Sequence, residues 1–186
     1  MKNIFSTCIL VLAFVCGLQA QSFQKGTNLL SAGIGLGGSF GGYAGTRTPA
    51  LSLQYERGAW EAGPGVFSLG GYAGVQSFKY SGGYSSYKYT QKWSYKILGV
   101  RSAYHYTGFD IEKLDVYGGA MLSYNILSYS YSDNGLTGPP DNGSYGSAAS
   151  LSFYAGGRYA FASNLAGFAE LGYGISYLTL GASFKF

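Results

Sequence analysis

From residue 28 onward the chain alternates apolar and polar positions with period two, in stretches separated by clusters of turn-forming residues. The pattern is plainest at the C-terminus, where Leu178, Leu180, Ala182, Phe184 and Phe186 fall on one parity and Tyr177, Thr179, Gly181, Ser183 and Lys185 on the other. Side chains alternate across a β-strand, so this period predicts a strand with one greasy and one polar face. Seven earlier stretches repeat it. The first, over residues 28–40, sets Leu30, Ala32, Ile34, Leu36 and Phe40 against small residues such as Gly33 and Gly35. The second sets Leu51, Leu53 and Tyr55 against Ser52, Gln54 and Glu56. Further strands are predicted over residues 66–77, 93–106, 114–126, 149–159 and 168–173. The expected class is all-β with eight strands.

Turn signals set the connections. Arg57-Gly58 with Gly63-Pro64, residues 107–113, and Ser163-Asn164 read as short turns, whereas residues 41–49, 78–93 and 128–146 read as long loops. A seventh connection near Ile175-Ser176 is very short. Strands of about ten residues, rising about 3.3 Å each and tilted near 40°, span about 25 Å, the height of the apolar band of a membrane barrel. An even strand number with alternating loop length predicts an antiparallel up-and-down transmembrane barrel, short turns periplasmic and long loops extracellular.

Charge placement agrees with that geometry. Glu56, Arg101, Asp115, Arg158, Glu170 and Lys185 all lie on the polar parity of their strands. A charge facing lipid at mid-bilayer costs about 2–4 kcal/mol, so these six are expected to point inward and pair, with Lys185 meeting Glu170 or Glu56. Lys96 shares parity with Leu98 and is the one exception, placed near the extracellular rim, where the cost is small. The interior parity of the first and third strands is mostly Gly and Ser, which leaves space in that part of the lumen.

Composition adds compartment. Lys2 followed by an apolar run to Leu18 and then Gln19-Ala20 reads as a secretory signal peptide over residues 1–20, leaving residues 21–186 as one barrel domain. Both cysteines, Cys8 and Cys16, lie in the leader, so the exported chain has no thiol chemistry. The chain has 12 basic and 8 acidic residues, too even and too dispersed a balance for nucleic acid. With 31 glycines and 19 tyrosines, a 47% hydrophobic chain suits closely packed strands facing lipid.

The dyad strands, the asymmetric loops and the Phe184-Lys185-Phe186 terminus together resemble the small eight-stranded outer-membrane barrels of the OmpX/Ail, OmpW and OmpA membrane-domain type. The resemblance covers residues 21–186 and is architectural, without a residue-level functional motif. It implies a monomer in the outer membrane of a Gram-negative bacterium, delivered by the barrel assembly machinery through the strand carrying Leu178, Leu180, Phe184 and Phe186.

Candidate chemistry is sparse. His105, the single histidine, is expected at the periplasmic end of the fourth strand, facing inward beside Arg101 in a structural role. Gly33-x-Gly35-x-x-Gly38 matches a dinucleotide fingerprint as a string, but no helix pattern follows it. The two Asp-Asn-Gly triplets at 133–135 and 141–143 read as tight turns. No cofactor or metal site is expected. The functional lead is the second extracellular loop, where Lys79, Tyr84, Tyr87, Lys88, Tyr89, Lys92 and Trp93 interleave lysines with aromatics. That mixture reads first as an aromatic girdle with solvated charges, and it also suits the phosphates and sugars of lipopolysaccharide or an anionic host glycan. The third loop, with Tyr129, Tyr131, Asp133, Asp141 and Tyr145, is expected to fold against it. The expected function is non-enzymatic: membrane integrity, lipopolysaccharide contact or adhesion. The alternatives are transport of small or hydrophobic solutes through the barrel, or a soluble β-sandwich or lipocalin-like binder.

Overall fold

A computed structural model describes residues 23–38, 45–84, 87–109, 111–134 and 146–186. The predicted leader, Phe40, Asp141 and Tyr145, and the second Asp-Asn-Gly triplet lie outside these residues. In chain order the strands are β1 (Asn28–Leu36), β2 (Thr46–Arg47), β3 (Ala50–Ala62), β4 (Gly65–Tyr84), β5 (Tyr87–Tyr106), β6 (Leu114–Asp133), β7 (Ala148–Ala160), β8 (Leu165–Tyr173) and β9 (Leu178–Lys185). β2 is a two-residue strand that adds to β4, with Thr46 and Arg47 opposite Lys79 and Phe78. The other eight form a closed ring, each antiparallel to both neighbours. Closure is made by β9 on β1, where Leu30 faces Phe184, Ala32 faces Ala182 and Ile34 faces Leu180. A closed ring leaves no strand edge unpaired, which a sheet in hydrocarbon requires.

The side chains sort as the period-two pattern predicts. Leu30, Ile34, Leu51, Leu53, Leu69, Val75, Leu98, Val100, Leu122, Leu151, Phe153, Leu171 and Leu180 all point outward and are 41–67% exposed. Buried groups include Gln54, Glu56, Ser68, Arg101, His105, Arg158 and Glu170. Apolar outside and polar inside is the arrangement of a barrel whose surroundings are lipid, so the soluble-binder expectation fails. Arg57 also points outward, at the periplasmic end opposite Asn28.

Two expectations about connections and one about the lumen are corrected. Arg57-Gly58 does not turn the chain: β3 continues to Ala62 through a register shift between Gly58 and Trp60, and the turn falls at Gly63, where φ is 56°, and Pro64. Gly58 is needed for another reason, because Gly26 N–H donates to its carbonyl at 2.8 Å while its own N–H donates to Thr27 O at 2.9 Å. A Cβ there would overlap the carbonyl of Gln24, so the missing side chain lets the N-terminal segment cross under the barrel.

The expected loop over residues 78–93 is instead ladder over 78–84 and 87–93. β4 and β5 pair continuously from Gly65 opposite Tyr106 to Tyr84 opposite Tyr87. Likewise residues 128–133 belong to β6, which pairs with β5 as far as Asp133 opposite Tyr89, so the first Asp-Asn-Gly triplet begins in a strand. β4, β5 and β6 have 20 residues each, against 9 for β1 and 8 for β9. About ten residues cross the apolar band, so these three strands project about 25 Å beyond it as a wall on one side of the mouth.

The third correction concerns lumen space. The inward glycines of β1 and β4, the first and third expected strands, do not leave a gap. A Cβ on Gly33 would lie 2.8 Å from Thr179 Cγ2 and 3.1 Å from the Phe168 ring, and one on Gly74 would lie 2.8 Å from the Tyr72 ring. The small residues make room for large ones reaching across from other strands.

Candidate functional site

Two regions carry unusual chemistry: the filled lumen and the extracellular wall. In the lumen, one polar network connects five of the six charges expected inside. Arg101 on β5 donates from Nη1 to Gln54 Oε1 at 2.6 Å and from Nη2 to Glu170 Oε1 at 2.7 Å, and its Nε lies 2.9 Å from Glu56 Oε1. Its guanidinium also covers the Tyr154 ring at 4.1 Å. Arg158 on β7 donates from Nη1 to Asp115 Oδ2 at 2.6 Å and from Nε to Ser183 Oγ at 3.1 Å, with Glu56 Oε2 3.3 Å from Nη2. Glu56 therefore stands between both arginines, and Tyr117 O–H donates to Glu170 at 3.0 Å. Buried charges persist only when paired in this way.

Lys185 is placed differently from expectation. The charges of Glu56 and Glu170 are met by the arginines, and Lys185 lies at the periplasmic rim, opposite Leu29 on β1. There it lines a cavity of about 50 Å³ with Phe23, Asp115 and Arg158.

His105 is also not beside Arg101 in the network. Its Nδ1 lies 2.9 Å from Asp115 Oδ1 and its Nε2 3.1 Å from Ser68 Oγ. Ser68, His105 and Asp115 thus have the order of a hydrolytic triad. Ser68 and His105 are both 0% exposed, and the Phe23 ring stacks on the imidazole at 3.7 Å. Ser68 Oγ also donates to Ala103 O at 3.4 Å, so the buried serine ties β4 to β5. Sequence reading missed Phe23, because it stands just after the leader and before the first strand. It also missed Gln54, Ser68, Tyr117 and Tyr154, whose inward parity was the available signal.

The top of the lumen is closed as well. The β8–β9 connection folds back, with Tyr177 N–H donating to Leu36 O at 3.1 Å and Gly174 at φ 125°, and it carries Ile175 inward. Ile175 packs with Ala50, Ile97 and Met121, bordered by Tyr72, Tyr95 and Tyr154.

The wall resolves the interleaved lysines and aromatics. Because alternation along a strand means opposite faces across it, the two chemistries separate. Lys79, Lys88, Lys92 and Lys96 share the outward parity of Val75 and Leu98, accompanied by Ser77, Ser81, Thr90, Ser94, Ser128, Ser130 and Ser132. Lys79 and Lys92 are direct cross-strand partners, and Ser130 flanks Lys92 on the other side. Phe78, Tyr80, Tyr87, Tyr89, Trp93 and Tyr95 share the inward parity of Gln76 and Ile97, and Tyr129 and Tyr131 of β6 join them. Tyr84 takes the same parity at the tip and is 87% exposed.

The inward rings form a tiled plate. Trp93 and Tyr129 centroids are 5.5 Å apart, Tyr80 and Tyr89 6.1 Å, and Tyr89 and Tyr131 6.2 Å, the last pair stacked at 22°. The Tyr87 and Tyr131 hydroxyls share a hydrogen bond of 2.5 Å. A hydrogen bond with Tyr80 pushes the Tyr89 hydroxyl up from its ordinary range. The third loop was expected to fold against the second. Its residues Tyr129, Tyr131 and Asp133 instead continue a strand alongside β5, opposite Trp93, Gln91 and Tyr89.

Solved structures of the same shape exist. The attachment invasion locus protein Ail of Yersinia pestis matches at a TM-score of 0.50 with 15% identity, over 88% of this chain and 100% of that one. The same protein in complex with the heparin analogue sucrose octasulfate matches at 0.50 with 14% identity and the same coverage. This chain is an eight-stranded outer-membrane-type barrel. At such identity the likeness is one of fold, and the apolar belt described above sets that fold in the bacterial outer membrane. No protein-family model matches the sequence and no curated protein matches it.

Proposed function

We propose that residues 21–186, freed of a leader over residues 1–20, work as a monomeric, non-enzymatic surface barrel whose outward lysine face holds lipopolysaccharide. The observation that carries this reading is the segregation of Lys79, Lys88, Lys92 and Lys96 onto the outward face of the wall, rising from Lys96 opposite Val75 at its foot to Lys88 near its tip. Ammonium groups there meet the phosphates of the surrounding leaflet, and the serines and threonines beside them suit its sugars. An adhesin would aim its cations away from its own membrane, so the outward direction favours lipopolysaccharide over a host polyanion. The C-terminal residues Leu178, Leu180, Phe184 and Phe186 serve recognition by the barrel assembly machinery.

Transport has less support, since the arginine network and the Ile175 cluster both cross the lumen. The test is lipopolysaccharide retention. Wild-type barrel purified in mild detergent should carry co-purifying lipopolysaccharide, measured by mass spectrometry. Lys79→Ala, Lys88→Ala and Lys92→Ala combined should lose most of it and sensitise cells to detergent. Unchanged retention in the triple variant sinks the reading.

A further inference from the structure

We propose that the opposite, inward face of the wall binds an uncharged carbohydrate chain arriving from the external medium. This does not rest on the lysine reading, because it uses the other face and another chemistry.

A sugar presents apolar C–H faces rimmed by hydroxyls, and it is held by flat rings with polar tips. Tyr80, Tyr87, Tyr89 and Trp93 supply such rings on one face of β4 and β5, tiled with those of β6. At the foot of the same face lies Gln76, two residues before Phe78 and directly opposite Tyr95. Gln76 is 2% exposed, yet neither its Nε2 nor its Oε1 has a hydrogen-bond partner. A buried primary amide with both ends unsatisfied is rare and costly. Its adjacent donor and acceptor match a sugar hydroxyl, which both donates and accepts.

Charge and orientation narrow the ligand. Among the described residues of the wall, the inward parity carries two charged side chains of opposite sign, Asp133 and Arg47. Arg47 is stacked over Phe78 at 4.7 Å and donates to Gly38 O at 2.8 Å. With every lysine of the wall on the other face, nothing here selects a polyanion. The inward face overlooks the barrel mouth rather than the leaflet, so sugars anchored in the surrounding lipid rise beside the other face. A chain reaching the rings comes from outside.

The test uses the full barrel in phospholipid nanodiscs free of lipopolysaccharide. The chain has two tryptophans, and Trp60→Phe leaves Trp93 as the sole reporter. A neutral-glycan array, followed by fluorescence titration with the strongest binder and with maltoheptaose and sucrose octasulfate, should give a saturable Trp93 change with a neutral glycan. Trp93→Ala or Tyr89→Ala should weaken array binding about tenfold or more, as loss of a stacking contact does. Gln76→Leu should weaken binding while raising the unfolding midpoint, a split that a purely structural glutamine does not produce. The combined Lys79, Lys88 and Lys92 alanine variant should bind the neutral glycan unchanged. The proposal is overturned if no neutral glycan binds, if binding survives loss of both Trp93 and Tyr89, or if it follows the lysines. It is equally overturned if the face is covered by a second copy, seen as a concentration-dependent dimer.

Discussion

Arg101 stands between two carboxylates from different sides of the barrel, donating to Glu170 at 2.7 Å and lying 2.9 Å from Glu56. All three side chains are buried, so removing the cation strands Glu170 inside and leaves Glu56 with Arg158 alone. Breaking a buried ion pair from one side costs about 3–5 kcal/mol, whereas removing charge from both sides is often near neutral. Arg101→Met alone should therefore lower stability by about that amount. Adding Glu56→Gln and Glu170→Gln to it should recover most of the loss. Guanidinium unfolding in micelles, followed by heat-modifiable gel migration, measures both. A single variant as stable as the wild type would remove the network from the account of how the lumen is held.

The glycines of the seam make a second, sharper prediction. A Cβ at Gly33 meets the end of a side chain, Thr179 Cγ2 at 2.8 Å, while one at Gly181 overlaps the backbone oxygen of Ala32 on the neighbouring strand. Gly33→Ala should cost about 1–3 kcal/mol by overpacking and be relieved by Thr179→Ser. Gly181→Ala should impair closure of β9 on β1 and gain nothing from trimming Phe168. The proportion of folded barrel in the membrane fraction reads the difference.

The parity pattern made the barrel legible, because in lipid one face of each strand is apolar throughout and the other is polar or small. The inward charges were readable for the same reason: a charge on the lipid side is costly enough to be avoided, so parity alone places Glu56, Arg101, Asp115, Arg158 and Glu170. Their pairing was not readable, since which carboxylate an arginine meets across a lumen depends on strand stagger, and Lys185 was assigned partners that the arginines hold. The wall was hidden by its composition. Residues 78–93 lack the aliphatic positions that mark a membrane strand, and polar-aromatic alternation reads as a loop although it is the pattern of a strand above the bilayer. Once the ladder is in place, the interleaving becomes two faces.

Phe23 offers a third test. It is 4% exposed, stacked on His105 and packed with Leu29 and Val66. Phe23→Ala should cost about 3 kcal/mol, the lower end for a buried phenylalanine. It should not open a pore, because the arginine network and the Ile175 cluster still cross the lumen above it. Planar-bilayer recordings of this variant should stay as silent as those of the wild type, and stepwise conductance would revive the transport role.

Lys79 and Lys92 lie directly opposite one another on the outward face, a like-charge pair that a sheet ordinarily avoids. In lipid-free detergent the repulsion is uncompensated, so Lys92→Glu should make an attractive cross-strand pair and stabilise the wall by a few tenths of a kcal/mol, about the scale of such pairs. In outer-leaflet lipid the sign should reverse. Phosphates bridging the two lysines stabilise the wild type, and the introduced carboxylate repels them. Thermal midpoints of wild type and Lys92→Glu, taken with and without lipopolysaccharide at low and high salt, should cross in order on adding the lipid. Salt should shrink the difference in both media, since both effects are screened. An order that stays the same in both media would mean that this pair meets no phosphate, and the tolerated repulsion would then have no ligand to explain it.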